Sequence, residues 1–329
     1  MSATLAAPAR SRPRVAVPPA AGLLLLTALS WIVYARLGEG FLSSFNLFTL
    51  SQLLAETAVI GAAQLVVVAI GHLNLAVGAV GVVVAMSTGW MLGVAGLPTA
   101  LAIPLGLAEG AILGALMGVL ERITGLGSFI VTLAMASILS GAVLIASGGG
   151  AISTLPEAVT AFGADPMLLP SLSWLLLPAV LVFAFLWLLY RRSVAGWQML
   201  SVGANERAAA LSGVPTFRIV VSSFALSGLF SAVAAMLELS RVASALPSLG
   251  TDWLLLAFIV PILGGSPLRG GAVALGGALL AALFIVSINS GLVSLGVSAY
   301  WQEFAQGVVL LLAVFADRLF RRDAGRSHA

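Results

Sequence analysis

Long apolar runs, separated by short polar stretches, are the dominant pattern along this chain. There are ten of these runs, and most have about the length of a helix that crosses a hydrocarbon core roughly 30 Å thick. They lie at 20–35, 47–70, 75–95, 98–120, 128–147, 171–190, 219–239, 252–264, 271–289 and 299–317. The run at 252–264 is short and contains Pro261, so we expect a broken or half-spanning helix there. The pattern predicts an all-α polytopic membrane protein of about ten transmembrane helices.

The arginines between these runs indicate which way the helices point. Cytoplasmic loops of membrane proteins carry an excess of basic residues. With the N-terminus inside and ten spans, only Arg36 and Arg241 fall outside. The inside arginines are Arg10, Arg12, Arg14, Arg122, Arg191, Arg192, Arg207, Arg218, Arg269, Arg318, Arg321, Arg322 and Arg326. Both termini are therefore predicted to be cytoplasmic, and an odd number of spans would move later arginines to the wrong side.

The pattern favours one domain with two tails. We expect a single transmembrane domain over 20–318, a disordered Pro/Ala-rich cytoplasmic tail at 1–19 and a cytoplasmic C-terminal tail at 319–329. A cleaved signal peptide is the alternative for the first run. That run is long, however, and Arg36 lies where small residues should precede a cleavage site. An uncleaved first helix is the preferred interpretation.

The longest outside connection, at 148–171, is rich in Gly and Pro and suits a loop with a short surface helix near 156–162. The outside face carries acidic residues at Glu39, Glu157, Asp165 and Asp252. An exterior partner docking there and a merely solvated loop are both compatible with this pattern.

Composition excludes several classes of protein. The 329 residues are 60% hydrophobic and 8% charged, whereas a soluble domain has about a quarter charged residues. The chain has no cysteine, which excludes disulfides, thiol nucleophiles and Cys-zinc sites. It also has no lysine, which excludes the nucleotide-binding P-loop motif. With only His72 and His328 besides, we predict no catalytic residue and no metal site.

The longest inside interruption, 196–218, contains a short predicted helix at 205–212. Asn205 is a good N-cap, and Glu206 places negative charge at the helix N-terminus. Gly213 can close the helix in the left-handed conformation, and Pro215 prevents its continuation. Two turns of helix are marginal alone in water, so we expect this Ala/Leu-faced helix to dock against something.

Several segments resemble one known family. The segment VGANERAAALSGVP resembles the cytoplasmic coupling segment of permease subunits in ribose-type ABC sugar importers. The resemblance continues through FALSGLFSAVAAML, PILGGSPLRGGAVALGGALLAAL and SAYWQEFAQGVVLLLAV, and upstream through GHLNLAVG and GSFIVTLAMASILSG. It covers the chain from about 64 to 317. Within it, His72 replaces a usual Gly and Asn74 a usual Asp, which leaves a capped helix entrance as the favoured role of Asn74.

The resemblance implies how the protein works. Two permease subunits, identical or homologous, form the pathway in the bacterial inner membrane, and a periplasmic or lipid-anchored binding protein delivers the substrate. A cytoplasmic ATPase subunit, which holds ATP and Mg, drives transport, so this chain itself needs no cofactor and is not an enzyme. Nucleic acid is not an expected partner. The predicted coupling residues, within a loop at 191–218, are Gly203, Asn205, Glu206, Ala208, Ala209, Ser212 and Gly213.

A sugar pathway needs hydrogen-bonding and aromatic side chains at mid-membrane depth. The candidates are Gln64, Asn74, Phe129, Thr132 and Phe258, although a structural role such as packing is favoured for each of them taken singly. In the fourth run, glycines recur every four residues and predict a stripe for close helix packing. They are Gly106, Gly110, Gly114 and Gly118.

Glu109, in the middle of the same helix, suggests a different class of function. A charge at that depth costs at least about 2.5–3.5 kcal/mol, so the side chain must face the interior. A hydrogen bond to a nearby Ser, Thr or backbone group is the structural explanation. A proton- or ion-coupled secondary transporter built around Glu109 is the alternative function, and a non-transporting membrane scaffold is a third.

One internal similarity adds to the picture. Segments 71–80 and 264–273 both fit the pattern G-x-x-x-L-x-x-G-A-V, and both lie at predicted inside turns. Transporters often contain repeats, with the substrate site at their interface. Chance similarity in a Gly/Ala-rich chain is the alternative.

Overall fold

The fold of the chain is helical throughout the part that is described. The computed structural model describes residues 19–311, except 39, 168, 299, 303, 305 and 310. Its helices are α1 (Pro19–Leu37), α2 (Ser44–Ala69), α3 (Val77–Gly93), α4 (Thr99–Thr124), α5 (Ser128–Ser147), α6 (Glu157–Ala164), α7 (Leu176–Arg192), α8 (Val194–Ala204), α9 (Glu206–Leu211), α10 (Thr216–Val242), α11 (Trp253–Leu263) and α12 (Leu275–Ser294). The described residues contain isolated β-bridges but no β-strand. The all-α class is confirmed for them.

Some of the predictions concern residues other than those described. Residues 1–18 of the tail predicted at 1–19, the whole tail predicted at 319–329, the end of the predicted span at 299–317, and residue 39 lie outside the described residues. Between 300 and 311 the described residues are helical.

Five helices are long and apolar enough to cross a membrane. They are α2, α4, α5, α10 and α12. A sixth span results if α7 and α8, bent by 77° at Ser193, are taken together. The remaining apolar helices α1, α3 and α11 are shorter. The chain is thus a multi-pass membrane protein, while the total of ten spans and the cytoplasmic location of the termini stay predictions.

The helices α3 and α11 are short because the segments that precede them, 70–76 and 243–252, enter the bundle in an extended form. With 11 residues, α11 is only about 16 Å long, as Pro261 and the short apolar run led us to expect. Before it, Ala245 packs against Gly89 of α3, and Gly250 packs against Gly78. Positions 78 and 89 lie about 16 Å apart along α3, so segment 243–252 descends beside α3. Irregular backbone at this depth requires protein around it.

The chain between α2 and α3, residues 70–76, is also extended, and we call this segment the first break. Segment 70–76 is not helical, and α3 begins at Val77 rather than at residue 75 as the apolar run suggested. The Asn74 side chain in this segment contacts Ser227, eleven residues into α10. This places the start of α3 about 16 Å from the first residue of α10.

The glycine stripe of α4 packs against α10, and this pair makes the most extensive helix contact among the described residues. A Cβ atom added at Gly114 would overlap the Phe224 carbonyl oxygen, and one at Gly110 would lie 2.6 Å from Ala232 Cβ. Gly228 of α10 faces Gly110 and Gly114 in turn. The predicted close packing through Gly106, Gly110, Gly114 and Gly118 is confirmed, since all four are buried.

The connection 148–171 is packed onto the bundle. Its short helix, predicted near 156–162, is α6, which begins after Pro156. Gly163 lies against the Ser240 carbonyl at the end of α10, and its own carbonyl accepts a hydrogen bond from Gln52 over 2.6 Å. Ile152 and Ala245 pair through two main-chain bonds of 2.9 Å. The segment is therefore anchored to the bundle at these points, although most of its described residues are exposed, and an exterior partner at this face stays a prediction.

The connections separate into two groups at opposite ends of the bundle. At one end, which we call the arginine-rich end, Arg122 pairs with Glu206 and Gly71 lies against Arg269. At the other end the α6 connection meets the end of α10. Loops assigned to one side from their arginines therefore do lie together in space.

Candidate functional site

The predicted helix of the inside loop is present as α9. Asn205 is its N-cap, and the Asn205 Oδ1 atom accepts a hydrogen bond from the Ala208 amide over 3.0 Å. The Val214 amide donates to the Ala209 carbonyl, and the Gly213 amide donates to that of Ala210, both over 3.0 Å. With Gly213 at φ +83°, these bonds form the C-terminal motif that glycine closes in the left-handed conformation. The local structure predicted for 205–213 is confirmed.

A second helix, α8, precedes α9, and the sequence analysis missed it. Ser193 caps it, accepting a hydrogen bond from the Gly196 amide over 3.0 Å. Its buried residues Gly196, Met199 and Val202 recur every three residues, which is a helical signal that was available in the sequence. The 77° bend at Ser193 turns the chain away from the direction of α7 and beneath the bundle.

The two faces of α9 differ sharply in exposure. Leu211 is 91% exposed, and Ala208 and Ala210 are also exposed. Arg207, Ser212 and Gly213 are exposed as well. Ala209, in contrast, is only 5% exposed and packs against this chain. The expectation that Ala209 shares a partner-facing surface with Ala208 is therefore wrong, because successive helical residues point about 100° apart.

Charged side chains tie α9 to the end of α4. Arg122 Nη2 lies 2.6 Å from Glu206 Oε1 and donates to Thr216 Oγ1 over 3.2 Å. One residue earlier, Glu121 lies 3.4 Å from His72 Nδ1 in the first break. Burial lowers the pKa of His72 below its usual value; Arg122 acts in the same direction, and Glu206 opposes it. Burial therefore favours the neutral form of the imidazole.

Three turns meet in backbone contact beside this cluster. Gly203, at the end of α8, lies against the Ala69 carbonyl and the Gly271 amide. The Gly271 amide donates to Ala69 over 3.0 Å. A Cβ atom at Gly270 would lie 2.5 Å from the Gly71 amide. These glycines leave no space for side chains, so the predicted coupling residue Gly203 serves close packing.

The two similar segments therefore lie against each other but fold differently. In segment 71–80 the shared Gly-Ala-Val lies inside α3, whereas in 264–273 it precedes α12. The similarity does not correspond to one repeated local structure.

Three of the five predicted pathway residues hold the first break in place. Asn74 Nδ2 donates to Ser227 Oγ over 2.9 Å, and Asn74 Oδ1 accepts from the Ala76 amide over 2.9 Å. Thr132 Oγ1 accepts from the Leu75 amide over 3.1 Å. The Gln64 amide lies against the Asn74 main chain, with its nitrogen 2.9 Å from the carbonyl oxygen in the orientation that satisfies both groups.

These contacts change the interpretation of the predicted pathway. Gln64, Asn74 and Thr132 have no exposed surface, so none of them lines an accessible channel in this conformation. Asn74 makes the entrance turn of α3, although the helix N-cap is Ala76. Phe129 is half exposed and Phe258 is half buried, and their place in a pathway stays a prediction.

Glu109 has the partner that the structural explanation required. Its Oε2 atom accepts a hydrogen bond from Ser87 Oγ of α3. Ser87 also lines a cavity of about 610 Å³ between α3, α5 and the Gly150–Ile152 segment, which includes Trp90 and is mostly apolar. A single satisfied carboxylate provides no proton relay by itself.

An ion-pair cluster lies at the opposite end of the bundle. Arg241 Nε donates to Glu56 Oε2 over 2.9 Å, and its Nη2 lies 3.7 Å from Glu238 Oε1. Both glutamates are buried, at 6% and 9% exposure. Their positions toward the helix ends therefore do not expose these two carboxylates to water. The three-residue spacing on α10 could have paired Glu238 with Arg241, whereas no signal in the sequence paired Arg241 with Glu56, which is distant along the chain.

Long apolar helices, extended breaks inside the bundle and an exposed docking-type helix define a polytopic membrane protein with the features of a transporter subunit. The family described as "Branched-chain amino acid transport system / permease component" matches residues 43–314. The chain belongs to this family.

Individual import permeases are also similar to this chain in sequence. Over 300 residues the chain is 31% identical to the ribose import permease protein RbsC of Escherichia coli K12, covering 90% of this chain and 92% of that protein. It is 34% identical to RbsC of Bacillus subtilis over 307 residues, with coverage of 91% and 92%. It is 30% identical to the fructose import permease protein FrcC of Rhizobium meliloti over 313 residues, with coverage of 93% and 87%. No solved structure matches the chain. The resemblance carried by the motifs is confirmed.

Proposed function

We propose that the chain is the transmembrane subunit of an ATP-driven importer for a sugar or sugar-like molecule in the bacterial inner membrane. In this proposal α9 is the helix on which a separate cytoplasmic ATPase subunit docks. A second permease subunit, identical or homologous, completes the pathway. A periplasmic or lipid-anchored binding protein delivers the substrate at the opposite end of the bundle. ATP and Mg are held by the ATPase subunit.

The observation that carries the proposal is the exposed face of α9. Leu211 is 91% exposed at the arginine-rich end, on a helix that is capped at both ends. A leucine so exposed loses the free energy of burial unless a partner covers it, on the order of 1.5–3 kcal/mol for a full side chain. The ribose and fructose permeases among the similar proteins support the sugar as substrate class.

A secondary transporter that uses Glu109 is less well supported. Its carboxylate is engaged by Ser87, and the sequence offers no second mid-span carboxylate to continue a relay. An enzyme is disfavoured by the absence of lysine, cysteine and a nucleotide-binding motif from the sequence.

The docking surface is tested by Ala208→Arg and by Leu211→Arg. An arginine in a closed interface leaves a buried, unpaired charge, which costs about 3–5 kcal/mol. We expect normal amounts of either variant in the membrane. The ATPase subunit, purified through a tag on the permease, should be lost. Substrate-stimulated ATP hydrolysis should fall with it.

Ala164→Arg is the matched control, because Ala164 is an exposed alanine at the end of a short helix on the opposite side of the bundle. It should retain the ATPase subunit. Ala209→Arg is not a suitable test, because Ala209 is buried and its replacement would disturb α9 itself. Normal co-purification and uptake in both the Ala208 and Leu211 variants would refute the docking role.

A further inference from the structure

The orientation of α9 depends on very little apolar packing. Of its six residues, only Ala209 is buried, and its side chain is a single methyl group. The caps at Asn205 and Gly213 close the helix on itself but do not attach it to the bundle. A two-turn helix held by one methyl group needs another contact to fix its direction.

Arg122 supplies that contact from the end of α4. Its guanidinium pairs with Glu206, the first residue of α9, over 2.6 Å. The same Nη2 atom donates to Thr216, the first residue of α10, over 3.2 Å. One planar group therefore joins the two ends of the eleven-residue segment 206–216, which contains α9. The side chains of Arg122 and Glu206 are 22% and 38% exposed.

We propose that Arg122 is the positioning residue of the docking helix, and that it makes α9 move as one body with α4 and α10. The proposal rests on the function proposed above. Partly exposed ion pairs contribute little to folding stability. The effect of Arg122 is therefore on the orientation of α9 rather than on the stability of the protein. The close contact between the glycine stripe of α4 and α10, which we call the glycine seam, begins one helical turn from Arg122, where Gly118 packs against Val221.

The same pair of helices reaches the first break. Ser227 of α10 accepts the hydrogen bond from Asn74, and Glu121, beside Arg122, contacts His72. A displacement of α9 would therefore be carried through α4 and α10 to the extended segment at which α3 begins. This is a contiguous set of contacts, and coupling through it requires direct measurement.

The positioning step can be measured without the ATPase subunit, because the chain has no native cysteine. Spin labels are attached at Leu116→Cys on α4 and Ala210→Cys on α9, both exposed sites. In the full-length permease in liposomes, we expect a narrow distance distribution. Arg122→Gln should at least double its width. Arg122→Gln combined with Glu206→Gln should be no broader than either single variant, because both remove the same contact.

Transport is then measured with the complete importer. Arg122→Gln and Glu206→Gln should each lower uptake at least fivefold, and the double variant should show no further loss. Arg36→Gln is the control, since Arg36 is an exposed arginine in the last turn of α1 and makes no ion pair with a described residue. It should leave both the distance and the uptake unchanged.

The outcomes separate this proposal from the docking role. An unchanged distance distribution in Arg122→Gln, or losses of uptake that multiply in the double variant, would overturn the positioning role. A broadened distribution with full uptake would overturn the link between α9 orientation and transport. If the docking variants keep the ATPase subunit, the docking role fails, while the distance measurement still decides whether Arg122 orients α9.

Discussion

At the scale of single residues, the hydrogen bond between Ser87 and Glu109 joins α3 to the middle of α4. A lone ionisable group at such a depth is expensive and is usually engaged by a partner. Here the partner is a hydroxyl, so Glu109 is explained as a local contact between two helices. The Glu56–Arg241 ion pair is likewise a contact between two helices, α2 and α10.

This explanation predicts the result of Glu109→Gln. The glutamine amide oxygen can still accept from Ser87, and in the proposed importer ATP rather than a proton gradient supplies the work. We expect the variant to retain most of the uptake, measured in cells at equal amounts of inserted protein. Ser87→Ala is the companion variant, and it should lower thermal stability more than uptake.

The secondary-transporter alternative predicts the reverse. It requires complete loss of transport in an inserted Glu109→Gln protein. It also requires a protonophore to abolish uptake by the unmodified importer while cellular ATP is unchanged. Both results together would replace the ATP-driven function with a proton-coupled one.

At the scale of elements, the contact between α4 and α10 depends on glycine. Backbones that approach this closely gain dispersion contacts along the whole seam, which is the main source of helix association in a bilayer. The seam also contacts α9, the proposed docking helix, through Arg122. We therefore expect its packing to affect stability and, if the docking proposal holds, coupling.

We predict that Gly114→Ala destabilises the protein. The new methyl group would overlap the Phe224 carbonyl, and forced overpacking costs about 1–3 kcal/mol. The control is Gly141→Ala on α5, because Gly141 has no neighbouring atom within 4 Å of an added Cβ. The melting midpoint in detergent should fall for Gly114→Ala and stay level or rise for Gly141→Ala. Equal melting midpoints for the two variants would show that α4 and α10 can move apart without loss of stability.

At the scale of the whole molecule, the predicted orientation in the membrane rests on the distribution of the arginines. The loops assigned to the inside meet at one end of the bundle, and α6 lies at the other. This arrangement makes the orientation testable at two surface sites.

We predict opposite labelling of single-cysteine variants in intact cells. Ala164→Cys on α6 should react with a membrane-impermeant maleimide, whereas Ser212→Cys after α9 should react only after the cells are opened. Both positions are exposed, and the natural chain contributes no background thiol. Gly163 is less suitable, because it is packed against Ser240. Labelling of Ser212→Cys in intact cells would reverse the orientation and exclude α9 from docking a cytoplasmic ATPase.

Local features of the chain were determined by its sequence. The apolar runs predicted most of the helices, and Pro261 marked the short α11. The capping residues Asn205 and Gly213 predicted α9 to within a residue, because caps act through bonds to neighbours only a few positions away. Glycines at a spacing of four defined the seam for the same reason. The family was also evident from short motifs.

Only the tertiary structure decided which surface each residue occupies. Ala208 and Ala209 are identical neighbours, yet one is exposed and the other is buried, because a bundle covers one face of α9. Gln64, Asn74 and Thr132 looked like pathway residues and instead hold the first break. The pairing of Arg122 with Glu206 joins residues far apart in the chain. Periodicity and capping are local along the chain, whereas burial and ion pairing depend on which helices become neighbours.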